Sequence, residues 1–122
     1  LQEQLKKQRE KASIYLEGLF SIKGISVIKE GDFALGSYPY LAVIFDDIIK
    51  RNKAMDVLSS RGLGASLIYT NAITDYAFLN KFVPQTNPLN GRRMAQRTLS
   101  LSTGIFMDKS RIKLILELLK QI

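Results

Sequence analysis

The sequence contains no cysteine and no histidine. The first absence excludes a disulfide framework and any thiolate-held metal. The second removes the usual general base, the imidazole metal ligand and every triad built on it. Chemistry in this chain must come from carboxylates, lysines, tyrosines or a cofactor. Long hydrophobic runs are missing as well. The longest, Tyr38 to Phe45, falls far short of the roughly 20 residues that cross a bilayer. The N-terminus, Leu-Gln-Glu-Gln, has no signal-peptide pattern and no initiator Met, so a piece of a larger protein is expected.

What remains is an ordinary globular balance. The chain has 122 residues, 46% hydrophobic and 24% charged, which suits one domain, residues 1–122, with a real core. The formal charge is +7. A basic excess admits a nucleic acid or another polyanion as partner. Here the charges are spread from Lys6 to Lys120, with tight groups only at Lys6-Lys7, Lys50-Arg51 and Arg92-Arg93.

Periodicity gives the elements. Leu1 to Phe20 reads as a helix with Leu1, Leu5, Ala12, Leu16 and Leu19 near one face and a very polar first half. Ile25 to Ile28 is a short edge strand. Tyr38 to Phe45 is the strongest strand, apolar on both alternating faces, and so expected to be covered on both. Asp46 or Asp47 caps a helix over 48–61, and Gly62 stands at its left-handed C′ position. Ala65 to Thr70 reads as a third strand. Residues 71–87 are irregular, with one helical turn near Tyr76. A short helix over 91–96 precedes an extended stretch, Thr98 to Leu101. Asp108 caps a last helix, 109–122, whose broad apolar stripe runs through Ile112, Ile115, Leu116 and Leu119. This order specifies an α+β fold with a small, mostly antiparallel sheet of about three strands and helices on one face. The Tyr38–Phe45 strand and the last helix are expected to leave an exposed apolar patch.

Few motifs carry chemistry. Gly62-Leu63-Gly64 follows a helix and lacks the third glycine of a dinucleotide fingerprint, so it reads as a helix stop. Asp46-Asp47 could be a metal or acid/base pair, but adjacent residues point apart and a cap explains them. Arg92-Arg93 with Arg97 reads as a solvated face or, with Arg93 and Arg97 four apart, as an anion clamp. Tyr69, Asn71, Asp75 and Tyr76 cluster past a strand end, as a binding loop or as a polar loop with aromatic anchors. No lysine lies in an apolar setting that would make it a nucleophile.

Four stretches carry a resemblance. They are Ser37-Tyr38-Pro39-Tyr40-Leu41-Ala42-Val43-Ile44-Phe45-Asp46-Asp47, then Arg61-Gly62-Leu63-Gly64-Ala65, then Ser66-Leu67-Ile68-Tyr69-Thr70-Asn71, and Ala95-Gln96-Arg97-Thr98-Leu99-Ser100-Leu101. Their wording and order resemble the last third of DegT/StrS-type, fold-type-I sugar aminotransferases, including that family's R-G-I-G helix end and its A-E-R-T-L-S-L-P stretch. The sequence departs from the family pattern at Asn71, Ile73 and Ser102, where proline, histidine and proline are common.

The resemblance implies the C-terminal small domain of a cytoplasmic enzyme that aminates a nucleotide-linked ketosugar with pyridoxal phosphate. The Schiff-base lysine would lie upstream in a large cofactor-binding domain, leaving this domain inactive alone and without cofactor, and the intact enzyme would be a homodimer. Tyr69, Asn71 and Tyr76 would line the sugar-nucleotide cleft, and Arg97 would serve packing or an anion contact. Tyr69 and Arg97 match family positions, whereas Asn71 and Tyr76 are chosen by location. Two rivals remain: a free-standing basic module for RNA or another polyanion, and a non-catalytic interaction domain derived from the same fold.

Overall fold

The computed structural model describes residues 1–122. The first helix, α1 (Gln2–Leu19), buries Ala12, Tyr15 and Leu19, an i, i+3, i+7 stripe, while its polar first half buries nothing. Tyr15 is fully buried, and its hydroxyl donates to the Ser102 carbonyl at 3.2 Å, fastening this helix to the sheet. The elements that follow are β1 (Ile25–Val27), β2 (Tyr40–Phe45), α2 (Ile48–Ser59), β3 (Ala65–Ser66), α3 (Leu89–Arg97), β4 (Thr98–Ser102) and α4 (Lys109–Lys120). Two single 3-10 turns, Ile73–Asp75 and Ala77–Leu79, lie in the long connection before α3, where one turn near Tyr76 was expected.

The sheet has four strands in the order β1-β2-β4-β3, and every pair is antiparallel. The expected α+β class holds, with one strand more than the expected three. The extra strand is β4, which sits at the centre. Its Thr-Leu-Ser-Leu-Ser alternation sends Leu99 and Leu101 into the core at 0% exposure and turns Thr98 and Ser100 to the other face. It pairs Leu41 with Leu101 and Val43 with Leu99. The third strand is shorter than the expected Ala65 to Thr70. It keeps two residues, paired with Leu101 and Ser100, and peels away at Leu67, while β4 runs on beside β2 to Thr98, where α3 leads in.

Helices α1, α2 and α4 cover one face of the sheet. Their core includes Tyr15, Leu58, Ile112, Ile115 and Leu119 against Leu41, Val43 and Phe45. The other face is only partly covered, which corrects the expectation for β2: Ala42 and Ile44 are half-buried and Tyr40 is exposed. Tyr38 has already left the strand, with φ at +47°. The expectation for α4 changes too. Its stripe of Ile112, Ile115, Leu116, Leu118 and Leu119 is closed off by this chain's own core, so the open apolar surface lies elsewhere.

Local chemistry starts α2 and α4, and stops α2, where the sequence places those signals. The Asp47 carboxylate accepts from the Lys50 N–H at 2.8 Å, and Asp108 accepts from the Arg111 N–H at 2.8 Å. Gly62 has φ +63°, the Leu63 N–H donates to the Leu58 carbonyl at 2.9 Å, and the Gly62 N–H donates to Ser59 at 3.0 Å. That pair of bonds is a Schellman stop, with buried Leu63 as its hydrophobic seal. Asp46 pairs with Lys50 at 2.9 Å, so neither aspartate is free for a metal.

Candidate functional site

The half-covered sheet face is where the side chains of interest gather. Along β2, Tyr40, Ala42 and Ile44 point away from the core, and register sets Ala42 opposite Ser100 and Ile44 opposite Thr98. Small side chains at the centre of that row leave a hollow. The segment before β2 forms one wall, held by Thr103, whose hydroxyl donates to the Tyr38 carbonyl. The residues that leave β3, Ile68 and Tyr69, form the other wall, and Met94 of α3 closes the end. The groove measures about 510 Å³, within the range of small-molecule sites.

A second groove of about 520 Å³ lies on the far side of Tyr69 and Met94. It brings together Tyr69, Asn71 and Tyr76, three of the four residues singled out from the sequence, with Ile73, Phe78 and Leu79 around them. Tyr69 is 70% exposed, and neither its hydroxyl nor the Asn71 amide makes a side-chain hydrogen bond within the chain. The Tyr76 hydroxyl lies 3.3 Å from the Thr70 hydroxyl, and its ring packs on Phe78 at a centroid distance of 5.7 Å. Arg97, the fourth, is set apart. It lines a smaller hollow of about 210 Å³ with Ile44, Asn90, Arg93 and Met94.

Asp75 is not a free acid in this cluster. Its carboxylate receives the Arg92 guanidinium through Nε at 3.0 and 3.2 Å, and through Nη2, and also accepts the Ala72 N–H at 3.1 Å. Arg92 reaches Asn87 as well, at 2.6 Å. The Arg92 hydrogen bond is the chief cause holding the Asp75 carboxyl below its ordinary range, with partial burial opposing it. This bracket ties the 3-10 turns to the start of α3 and so shapes the second groove. Sequence reading missed Tyr38, Tyr40 and Met94 as groove residues. Tyr40 was detectable as the polar-tipped end of a strand's second face, whereas Met94 on a short basic helix carries no signal.

The side chains present do not fit a metal or a pyridoxal seat. No group of three or more carboxylates comes together. No lysine is buried: Lys29 is the one that lines the first groove, and it is exposed. A Schiff-base lysine needs an apolar setting, and every lysine here is exposed or half-buried.

No family model matches this sequence, and no curated protein does. Solved structures match its fold closely. DesI in the presence of its TDP-sugar product is 22% identical with a TM-score of 0.82, covering 96% of this chain and 30% of that one. The sugar aminotransferase CalS13 from Micromonospora echinospora is 19% identical with a TM-score of 0.77, over 96% of this chain and 30% of that one. 3-Amino-5-hydroxybenzoic acid synthase is 17% identical with a TM-score of 0.82, over 99% of this chain and 34% of that one. The chain is thus an α+β domain of the aminotransferase fold. It spans about a third or less of the length of these neighbours.

Proposed function

We propose that this chain is the substrate-cleft domain of a pyridoxal-phosphate-dependent aminotransferase of the DegT/StrS type, acting on a nucleotide-linked ketosugar. Tyr69, Asn71 and Tyr76 face the substrate, and Arg97 stands at its margin. The observation that carries the reading is the convergence of Tyr69, Asn71 and Tyr76 on one groove, in a fold shared with DesI and CalS13. The cofactor and its lysine belong to a large domain of the same enzyme, because no lysine of this chain suits the role, and the working unit is a cytoplasmic homodimer. When bound there, pyridoxal phosphate supplies the electron sink for amino transfer. This chain's part is to bind and orient the sugar: the Tyr69 hydroxyl and the Asn71 amide are free to donate and accept. The polyanion-module reading is not favoured, since the aromatics lie among apolar neighbours and the grooves that hold them contain no arginine.

The test uses the intact enzyme. Losing one hydrogen bond to substrate costs about 0.5–1.5 kcal/mol, so Tyr69→Phe and Asn71→Ala should each raise KM for the sugar nucleotide roughly three- to tenfold. The cofactor's absorption spectrum should stay unchanged. Unaltered sugar-nucleotide kinetics in both variants would make the loop a packing element and remove the assignment.

A further inference from the structure

We propose that Arg93 and Arg97 form a seat for the phosphate group of a small ligand. This goes beyond the aminotransferase reading, which sets Arg97 only at the substrate's margin, and its test, phosphate binding by the chain itself, does not depend on that reading. The two residues lie one turn apart on α3, four positions along the same face. Their neighbour Arg92 points elsewhere and is consumed by Asp75 and Asn87. The chain's ion pairs are Lys7–Glu3, Lys50–Asp46, Arg92–Asp75 and Lys120–Glu117. Arg93 and Arg97 belong to none of them, yet both line one hollow, walled by Ile44 and Met94 and supplied with the Asn90 amide. Its 210 Å³ is the space of about seven waters at roughly 30 Å³ each, enough for a phosphate or diphosphate that keeps some solvent. Guanidinium forks match tetrahedral oxyanions, and apolar walls strengthen the attraction.

A second observation comes from the other side of the same turn. Arg51 of α2 is only 5% exposed, donates to the Ala95 carbonyl at 3.4 Å, and leaves its Nε without a partner. No carboxylate neutralises it, and burial lowers its affinity for its own proton. Arg51 does not line the hollow, but it adds a third positive charge without an ion-pair partner beside the last turns of α3. The helix's C-terminal dipole, roughly half a negative charge, compensates part of Arg97 in the last turn and leaves Arg93 without a counter-charge.

The experiment is a titration of the chain with inorganic pyrophosphate at low salt, followed by amide chemical shifts. Saturable shifts confined to residues 90–97 are expected. Arg93→Gln and Arg97→Gln should each weaken binding at least roughly fivefold. Arg97→Lys, which keeps the charge and loses the fork, should recover only part. Arg61→Gln, on an exposed turn away from α3, should bind as the parent does, and well-dispersed spectra certify that each variant folds. Uridine diphosphate distinguishes the source of the phosphate. Equal affinity means a seat for phosphate alone, and tighter binding with added shifts at Tyr40 and Tyr69 means a phosphate carried by a ring-bearing molecule. Shifts that never saturate and spread over all basic residues would overturn the proposal. So would Arg93→Gln and Arg97→Gln variants that bind no worse than Arg61→Gln.

Discussion

Gly62 carries the chain out of α2 in a left-handed conformation, with open space where a Cβ would sit. Substitution there therefore meets a conformational cost and no clash. Gly62→Ala should lower stability by about 1 kcal/mol, seen as a reduced urea midpoint with an unchanged slope. Gly62→Asn should lose less, because asparagine tolerates this region. An unshifted midpoint for Gly62→Ala would mean that the turn relaxes. Features of this kind are legible in sequence because they are local: Asp47, Asp108 and Gly62 each act on backbone within four residues. Tyr38 was not legible. Its positive φ places it off the strand that its apolar neighbours seemed to continue, and the Thr103 bond that fixes its carbonyl comes from 65 positions away.

Among the elements, legibility followed burial. The deeply buried faces of α4 and β2 announced themselves by period, and their ends fell close to the expected ones. β4 was readable as extended but not as a central strand, because its alternation is only five residues long and its partners are non-local. The length of β3 was misjudged for a related reason. Ile68 and Tyr69 have good strand propensity, but nothing in their own neighbourhood says that the partner strand gives way to α3. For the candidate site this mattered in a useful direction: the peeling of β3 is what turns Ile68 into the first groove and sets Tyr69 between the two. Arg97, matched by motif position and expected to serve packing or an anion contact, sits at the end of α3 and opens onto a different hollow from the loop residues. Its companion Arg93 was visible at the i, i+4 spacing, and the removal of Arg92 by Asp75 was not.

Taken whole, the molecule has one face sealed by three helices and one face that keeps Tyr40, Tyr69, Phe78 and Met94 in contact with solvent at 48%, 70%, 73% and 39% exposure. Isolated domains rarely hold such patches open, so the chain should bind a hydrophobic dye or self-associate at neutral pH. Tyr69→Ser and Met94→Gln should reduce the signal, whereas a dye-silent monomer at high concentration would show that the grooves close in solution. The sealed face has an optical consequence. Burial drives the Tyr15 phenol well above its ordinary value near 10, so the native chain keeps a proton that the unfolded chain gives up. Stability from this group is complete below about pH 10 and drains away as alkalinity rises beyond it. In a base titration followed by phenolate absorbance, one of the five tyrosines should ionise only as the helical circular dichroism collapses. Tyr15→Phe should delete that late step. A smooth titration with no step tied to unfolding would show that α1 lifts from the sheet before the fold is lost.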